Sequence, residues 1–312
     1  METVLVGTYT TGTSSQGVYR IGLDTEKGSL RNLGCAVEMR DPSYLAKSGD
    51  TLFVADENLE AGHGRLCRFV RRSDGSYRIA GRVSAGGDNS CHVTLSPDES
   101  QVLVCNYTSG SVSAFRSADL TWLFTVQGRS WSRAHQATWY RNHWLICDLG
   151  GDCLWQMGAG GSMKNPLIRL PAGCGPRHLV AAGDLAYVGC EHSNELLTVN
   201  LETEKVIDRQ STLQNPEKES FVAAVRLLGE ELFVSNRGEN TVSVFSLADP
   251  FHPTRTGTYS VGGENPRDIL VLPEGILCAC KHGVSWLRRQ EDGSFQFADK
   301  VEIPSAIALI QE

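Results

Sequence analysis

The amino-acid sequence predicts an all-β fold, a seven-bladed β-propeller forming a single domain over residues 1–312. Three observations support this prediction. Short apolar runs are separated by Gly, Asp, Asn and Ser, a pattern typical of strands joined by turns. A similar phrase returns seven times with a period in the forties, which is typical of propeller blades. The two ends of the chain also carry incomplete sets of strands that complete each other.

The repeated phrase marks the first, innermost strand of each blade. One position in each copy is taken as equivalent: Ser43, His92, Gln136, His178, Val222, Asp268 and Ala306. The steps between these positions are 49, 44, 42, 44, 46 and 38 residues. Because the inner strands line a central channel, polar side chains at their beginnings are expected to converge at one mouth of that channel.

One repeat shows how a blade is built. After the inner strand at residues 93–95 comes a turn at 96–99, then strands at 101–106 and 111–115. Pro97 fixes its own φ and Asp98 can bond nearby backbone, as is common in turns. A fourth, outer strand has no clear pattern, which is expected of a strand with one solvated face.

The chain ends predict how the ring closes. The seventh inner strand, at 305–310, has no partner strand after it, and the strands at 4–9 and 17–21 have no inner strand before them. Pairing the N-terminal strands with the C-terminal one completes the last blade and removes two free edges. The alternative, two β-sandwich domains, would need a linker, and no Pro/Ser-rich stretch supplies one.

Composition excludes several classes of partner. The net charge is −7 and Lys/Arg runs do not exceed two residues, so nucleic acid and anionic membrane are not expected partners. No apolar stretch approaches the roughly 20 residues of a membrane helix, and the N-terminus does not resemble a secretory signal. The ten cysteines include no CxxC pair, and several lie in predicted strands. We therefore expect a reduced, cytoplasmic protein.

Several catalytic signatures are missing from the sequence. It contains no Gly-x-Ser-x-Gly elbow, no His-Glu-x-x-His, no phosphate-binding Gly-x-x-x-x-Gly-Lys loop and no EF-hand loop. No His pair has metal-ligand spacing. The sequence therefore predicts neither a metal nor another cofactor, and the candidates for chemistry are charged residues at the ends of channel-lining strands.

Histidines and arginines begin several inner strands. His135 suits a general acid or base, although a strand-end histidine often makes only a structural hydrogen bond. His92 and His178 occupy matching places in other repeats. Arg177 and Arg267, two blades apart, would together favour an anionic ligand. The alternative is that each arginine pairs with a carboxylate of an adjacent blade.

A second set of polar residues ends the second strand of each blade. Glu191 follows an apolar run, so partial desolvation could raise its pKa. Arg237 ends the matching strand one blade on, and Glu57, Asn106 and Asp148 hold the same place in three further blades. The alternative for each is that it only caps a turn.

Five segments of the sequence resemble the seven-bladed propeller lactonase family, which includes 6-phosphogluconolactonases and a muconate lactonizing enzyme. These segments are Val6-Gly7-Thr8-Tyr9-Thr10, residues 106–112, residues 148–152, Gly175-Pro176-Arg177-His178 and Ser235-Asn236-Arg237-Gly238. The resemblance covers essentially the whole chain. It implies a cytoplasmic, metal-independent enzyme that opens or closes a lactone ring on an anionic substrate. The active-site residues it implies are His135, Arg177, Glu191 and Arg237.

The chain departs from the family pattern at one motif. Where many members have His-Pro-His-Gln, this sequence has Arg133-Ala134-His135-Gln136. The preceding segment, 120–132, is also rich in Trp and polar residues. These departures bear on the identity of the substrate more than on the type of reaction.

Together the residues and the resemblance predict hydrolysis of 6-phosphogluconolactone, a small anionic lactone. In this hypothesis His135 or Glu191 activates water and Arg177 or Arg237 stabilises the oxyanion. Arg267 and Arg133 hold the phosphate, with His92 and His178 among the substrate-binding residues. Two alternatives remain at this stage: a lactonizing enzyme acting on a carboxylated, muconate-like substrate, and a propeller that binds a partner and catalyses nothing.

Overall fold

The computed structural model describes residues 1–59, 63–164 and 167–312, and every regular element in these ranges is a β-strand. The strands form seven four-stranded sheets, and neighbouring strands are antiparallel. The prediction of an all-β, seven-bladed propeller is therefore confirmed. In six of the sheets strand order follows chain order, and the seventh sheet joins the two ends of the chain.

The strands are given in chain order, with blade 1 as the first complete blade. The N-terminal strands β1 (Glu2–Thr8), β2 (Gly17–Asp24) and β3 (Ser29–Glu38) belong to blade 7. Blade 1 consists of β4 (Pro42–Ser48), β5 (Thr51–Asp56), β6 (His63–Arg71) and β7 (Tyr77–Asp88). Blade 2 consists of β8 (Ser90–Leu95), β9 (Gln101–Asn106), β10 (Ser111–Arg116) and β11 (Trp122–Gln127). Blade 3 consists of β12 (Ala134–Tyr140), β13 (His143–Asp148), β14 (Cys153–Gly158) and β15 (Ile168–Arg169).

The remaining strands complete the ring. Blade 4 consists of β16 (Pro176–Ala182), β17 (Leu185–Cys190), β18 (Glu195–Asn200) and β19 (Lys205–Ser211). Blade 5 consists of β20 (Phe221–Leu228), β21 (Glu231–Arg237), β22 (Thr241–Ser246) and β23 (Thr254–Ser260). Blade 6 consists of β24 (Asp268–Leu272), β25 (Gly275–Cys280), β26 (Gly283–Arg289) and β27 (Phe295–Val301). The last strand, β28 (Ala306–Gln311), is the inner strand of blade 7.

The two ends of the chain close the ring as predicted. Strand β28 pairs antiparallel with β1, with Leu5 opposite Ile310 and Val6 opposite Leu309. Strands β2 and β3 then complete blade 7 on the outer side. Both chain ends thus contribute to one sheet, in which β1 is paired on both sides and β28 takes the inner edge position that the first strand takes in the other blades.

The core lies between neighbouring blades. Second strands such as β5 and β17 are buried on both faces because each sheet packs against two others, and this explains why their sequences are continuous apolar runs. Trp286 of blade 6, for example, packs with Val4 and Ile21 of blade 7. Outer strands are largely solvated, as in β11. That is why the sequence carried no clear pattern for the fourth strand.

One face of the ring positions the candidate site. Each inner strand begins where the second strand of the same blade ends, so Pro176 lies opposite Cys190 and Pro42 lies opposite Asp56. Side chains that begin inner strands and side chains that end second strands therefore meet at this end of the channel. We call it the mouth face.

Candidate active site

A β-bulge begins the inner strand in each of four consecutive blades. The strand register shifts between Pro42 and Tyr44, between Ser90 and His92, between Ala134 and Gln136, and between Pro176 and His178. One residue in each blade is thereby left out of the ladder: Ser43, Cys91, His135 and Arg177. A bulge re-aims a side chain, and all four residues line one cavity at the mouth face.

The bulges correct the alignment made from the sequence. The residues equivalent to Ser43 are Cys91, His135 and Arg177, each one residue before the positions that the repeat had matched to it. His92 and His178 instead match Tyr44, on the next position of the strand. Aligning the repeated sequence segments could not reveal the extra residue of each bulge, because that residue is recognised only from the hydrogen-bonded pairing of the strands.

The cavity is small and mostly polar. Its volume is about 10 Å³, on the order of the space for one water molecule. The lining residues are Tyr9, Ser43, Tyr44, Glu57, Cys91, His135, Arg177, His178, Arg267 and Ile307. Four of the residues selected from the sequence are thus brought together here: His135, Arg177, His178 and Arg267.

His135 is suited to accept a proton in this cavity. Its side chain is buried and its Nδ1 atom has no hydrogen-bond partner among the residues that the structure describes. Burial, together with the positive charges of Arg177 and Arg267, holds the pKa of His135 well below its ordinary value. The imidazole is therefore neutral near pH 7 and its unpartnered nitrogen can accept a proton, while the lowered pKa makes it a weaker base than an ordinary histidine.

Glu191 lies between two arginines. Arg177 Nε is 2.9 Å and Arg237 Nη2 is 2.8 Å from the same oxygen, Oε2 of Glu191. Burial alone would raise the pKa of Glu191, but the charges of Arg177, Arg237 and Arg267 outweigh it and hold that pKa below its ordinary value. Glu191 is therefore an ionised counter-ion, and a carboxylate with a lowered pKa is a weak base.

The two arginines of this cluster are fixed by backbone as well. Arg177 Nη1 donates to the carbonyl of Ala223 at 2.8 Å, and Arg237 Nη2 donates to the carbonyl of Val222 at 3.3 Å. Burial lowers the pKa of both guanidinium groups, that of Arg237 to about 9. Because two guanidinium groups share one carboxylate, the cluster keeps an excess of positive charge.

A second carboxylate, Glu57, occupies the other side of the cavity. The hydroxyl of Tyr9 donates to Glu57 Oε2 at 2.9 Å, and the guanidinium carbon of Arg267 lies 5.4 Å from the centroid of the Tyr9 ring. Burial raises the pKa of Glu57. Sequence reasoning noted Glu57 only as a corner equivalent of Glu191 and did not select Tyr9. The signal for Tyr9 was its place in the motif at residues 6–10.

A layer of rings closes the channel below this cavity. The rings of Tyr44 and His92 are 4.3 Å apart, and His178 lies 6.0 Å from His92 and 5.3 Å from His135. Burial, followed by the charges of Arg226 and Arg177, lowers the pKa of His92 to about 3. His92 faces the wider part of the channel on the opposite side of the layer. Of the two predicted substrate-binding histidines, the structure thus places only His178 in the cavity.

Arg133 lies outside the cavity. Its Nη1 donates to the carbonyls of Ser132 at 2.7 Å and Ser130 at 3.4 Å, within the loop that precedes β12. The charge of Arg133 acts on Tyr107, whose ring centroid is 5.9 Å from that of His135. The structure therefore does not bring Arg133 together with the other predicted phosphate-binding residue, Arg267.

Neither a metal centre nor a membrane-spanning helix is found in the described part of the chain. The described residues contain no group of three or more His, Cys, Asp or Glu side chains arranged to hold a metal ion. Nor does any described segment form a helix with the length and apolarity needed to cross a bilayer.

Comparison with known proteins identifies what this chain is similar to. The family described as lactonase, 7-bladed β-propeller, matches residues 3–308. A 6-phosphogluconolactonase of Bacillus subtilis is 26% identical over 302 residues, covering 88% of this chain and 86% of the relative.

Two solved structures have the same fold over nearly the whole chain. A protein from Lactobacillus plantarum superposes with a TM-score of 0.90 at 27% identity, covering 100% of this chain and 99% of the other. The periplasmic gluconolactonase PpgL of Pseudomonas aeruginosa superposes with a TM-score of 0.89 at 23% identity, covering 99% and 98%. The second of these likenesses bears on the fold alone.

Proposed function

Since the chain belongs to the lactonase family of seven-bladed β-propellers, we propose that it hydrolyses a phosphorylated sugar lactone, converting 6-phosphogluconolactone to 6-phosphogluconate. One observation carries the proposal. A neutral histidine with an unpartnered ring nitrogen, His135, lines the same cavity as Arg177, whose counter-ion Glu191 is shared with Arg237. This arrangement supplies a base and a positive charge at one point.

The cavity holds the attacking water, and the lactone lies outside it at the rim. A volume of about 10 Å³ is too small for a sugar ring. The rim carries Arg237, the 40% exposed ring of Phe221 beside it, and Tyr107 beside His135. His135 removes a proton from the water as its oxygen attacks the ring carbonyl carbon. Such general-base assistance contributes about 10²–10⁴-fold to a rate.

Arg177 stabilises the charge that develops on the carbonyl oxygen. Its guanidinium is buried and held by Glu191 and Ala223, so little reorganisation is needed during the reaction. The bond from the former carbonyl carbon to the ring oxygen then breaks. The leaving oxygen takes the proton back from His135, which gives a hydroxyl group and a carboxylic acid that ionises in water.

Arg237 and Arg267 attract the phosphate, and Glu191 keeps Arg177 and Arg237 in place. Glu191 is a positioning residue in this mechanism, because its pKa is lowered and its Oε2 atom already faces two guanidinium groups. The name of the Bacillus subtilis relative, 6-phosphogluconolactonase, also supports a phosphorylated lactone as substrate. PpgL, which shares the fold, is a gluconolactonase, so the phosphate is the feature that an experiment must resolve.

The experiment is a coupled assay with freshly generated 6-phosphogluconolactone and, in parallel, with unphosphorylated gluconolactone. Hydrolysis of the phosphorylated lactone is expected to exceed the spontaneous rate, and Arg177→Ala is expected to lower kcat/KM by about 10²–10³-fold. Arg72→Ala is the matched control, because Arg72 is exposed and follows the third strand of blade 1 at the opposite face.

Each outcome of this assay has one meaning. Acceleration of only the unphosphorylated lactone would contradict the role of Arg237 and Arg267 in phosphate binding. Absence of acceleration with either lactone, from a sample that unfolds cooperatively, would contradict hydrolysis and favour lactonization or a binding role.

A further inference from the structure

The mouth face carries a second cavity, between the end of β11 in blade 2 and the strands of blade 3. Its volume is about 250 Å³, and none of the residues that line it also lines the central cavity. One of its walls is the loop at 128–132, the Trp-containing segment noted in the sequence. This cavity has no part in the mechanism proposed for the central one.

The lining combines aromatic and apolar side chains with two arginines. Trp155, Met163 and Leu167 provide the apolar part, and Arg129 and Arg169 also line the cavity. Trp131 lines it too and is 54% exposed. The guanidinium carbon of Arg129 lies 5.5 Å from the centroid of the Trp131 ring.

The two arginines have no carboxylate partner among the described residues. Three other exposed arginines, Arg116, Arg141 and Arg209, form ion pairs with Asp119, Asp184 and Glu195. Arg129 and Arg169 form no such pair within the described ranges. Their positive charge is therefore available to a ligand.

The carboxylate in the wall, Asp148, already accepts hydrogen bonds from protein groups on both of its oxygens. It is 2% exposed. Its Oδ2 accepts from Ser132 Oγ at 2.8 Å and Trp155 Nε1 at 3.1 Å, and its Oδ1 accepts from the backbone N–H of Arg133 at 2.7 Å and of Gly151 at 3.0 Å. Asp148 thus holds the wall and the Trp155 ring in place, because both of its carboxylate oxygens accept hydrogen bonds from protein groups.

We propose that this cavity is a second binding site, for a small molecule consisting of one ring with an anionic group. Pockets for drug-sized ligands measure about 300–1,000 Å³, so a cavity of about 250 Å³ suits a smaller molecule with a single ring. The indole of Trp131 offers an exposed face for stacking, and Arg129 and Arg169 bind a phosphate or carboxylate by charge-assisted hydrogen bonds. A sugar phosphate and an aromatic carboxylate share this chemistry.

The test measures binding by calorimetry and tryptophan fluorescence, with glucose 6-phosphate, benzoate and inorganic phosphate as probes. None of the three is a lactone, so none is consumed by the proposed hydrolysis, and the variants described below separate binding at the two cavities. We expect saturable binding of glucose 6-phosphate or benzoate, and the tighter of the two shows whether the ligand is a sugar phosphate or an aromatic carboxylate. Arg169→Ala should weaken it by at least about tenfold, and Trp131→Ala should reduce the fluorescence change, leaving only the contribution of Trp155.

Matched variants separate the two cavities. Arg177→Ala, in the central cavity, should leave the binding reported by the fluorescence of Trp131 unchanged, and so should Trp122→Ala, a 59% exposed tryptophan that does not line the second cavity. Loss of binding in Arg177→Ala but not in Arg169→Ala would overturn the proposal. So would inorganic phosphate binding as tightly as the ring compounds, or no binding of either ring compound up to roughly 10 mM.

Discussion

At the scale of single residues, the central cavity has fewer carboxylates than arginines around it. Among the described residues, Glu191 alone forms ion pairs with both Arg177 and Arg237, and Glu57 accepts a hydrogen bond from Tyr9 near Arg267. Three arginines thus face two carboxylates around the central cavity of a chain whose net charge is −7. Such an excess of arginines attracts anions and would raise the rate at which an anionic substrate arrives.

Replacing Glu191 should be costly for stability. Glu191→Gln leaves two buried guanidinium groups without their counter-ion, and breaking a buried ion pair costs about 3–5 kcal/mol. Because the Glu191 side chain is 18% exposed, we expect a loss of about 3 kcal/mol in the free energy of unfolding. Urea unfolding at pH 7 measures it, with the exposed Glu291→Gln as the control.

The same variant tests the direction of the pKa shift. The folded-state pKa of Glu191 is lowered, so its ionisation stabilises the fold above the ordinary glutamate pKa of about 4.3. That contribution is lost as the pH falls through the lowered value. Wild type should therefore approach the stability of Glu191→Gln below about pH 4. A difference that stays constant from pH 7 to pH 3 would contradict the shift.

At the scale of elements, the bulges that begin inner strands are what make the site. Before the bulge at Arg177 the chain passes through Gly175, which has a φ of 64°. A Cβ atom at Gly175 would lie 2.7 Å from Nδ1 of His192. The left-handed backbone favours glycine here, and a Cβ atom would in addition displace the exposed His192 ring.

Gly175→Ala should therefore impair both stability and activity. The left-handed backbone costs a non-glycine residue about 1–2 kcal/mol, and the contact with His192 adds to that cost. Gly183→Ala is the matched control, since Gly183 has a φ of 57° but a Cβ atom there would meet no other atom within 4 Å. Thermal unfolding and kcat/KM should show a larger loss for Gly175→Ala. Equal losses for the two variants would mean that the His192 contact is unimportant.

The strands also show which parts of the fold and of the site could be predicted from the sequence. The repeat predicted the blades because inner and middle strands are buried and keep an apolar pattern, whereas outer strands such as β11 are solvated and carry none. The repeat placed His135 and Arg177 at the mouth. It missed Tyr9, which belongs to blade 7 and reaches Glu57 of blade 1, because a contact between blades leaves no periodic signal. It also misaligned Ser43 because a bulge adds a residue without changing the phrase.

At the scale of the whole molecule, the ring depends on its closure. Leu309 of β28 is 7% exposed and packs in the same cluster as Val4, Val6 and Trp286, so it links blade 6 to both ends of the chain. The mouth is assembled from residues of blades 1, 2, 3, 4 and 7 and from Arg267, directly before blade 6. A ring that opened would therefore separate the two sides of the site.

Weakening the closure should destabilise the entire propeller. Leu309→Ala removes buried methyl groups, which costs about 2–5 kcal/mol, and we expect one cooperative transition at a lower Tm. Ile79→Ala is the control, because Ile79 is 50% exposed on the outer strand of blade 1. A separate early transition, with the remaining blades unfolding at the wild-type temperature, would show that the blades are not one cooperative unit.

The most direct test of the proposed mechanism is kcat/KM for 6-phosphogluconolactone in His135→Ala, measured against His252→Ala. His252 is exposed and lies in the loop between β22 and β23, away from the mouth. If His135 activates the water, His135→Ala should lose about 10²–10⁴-fold while His252→Ala keeps wild-type activity. Near-wild-type turnover in a folded His135→Ala protein would contradict the mechanism.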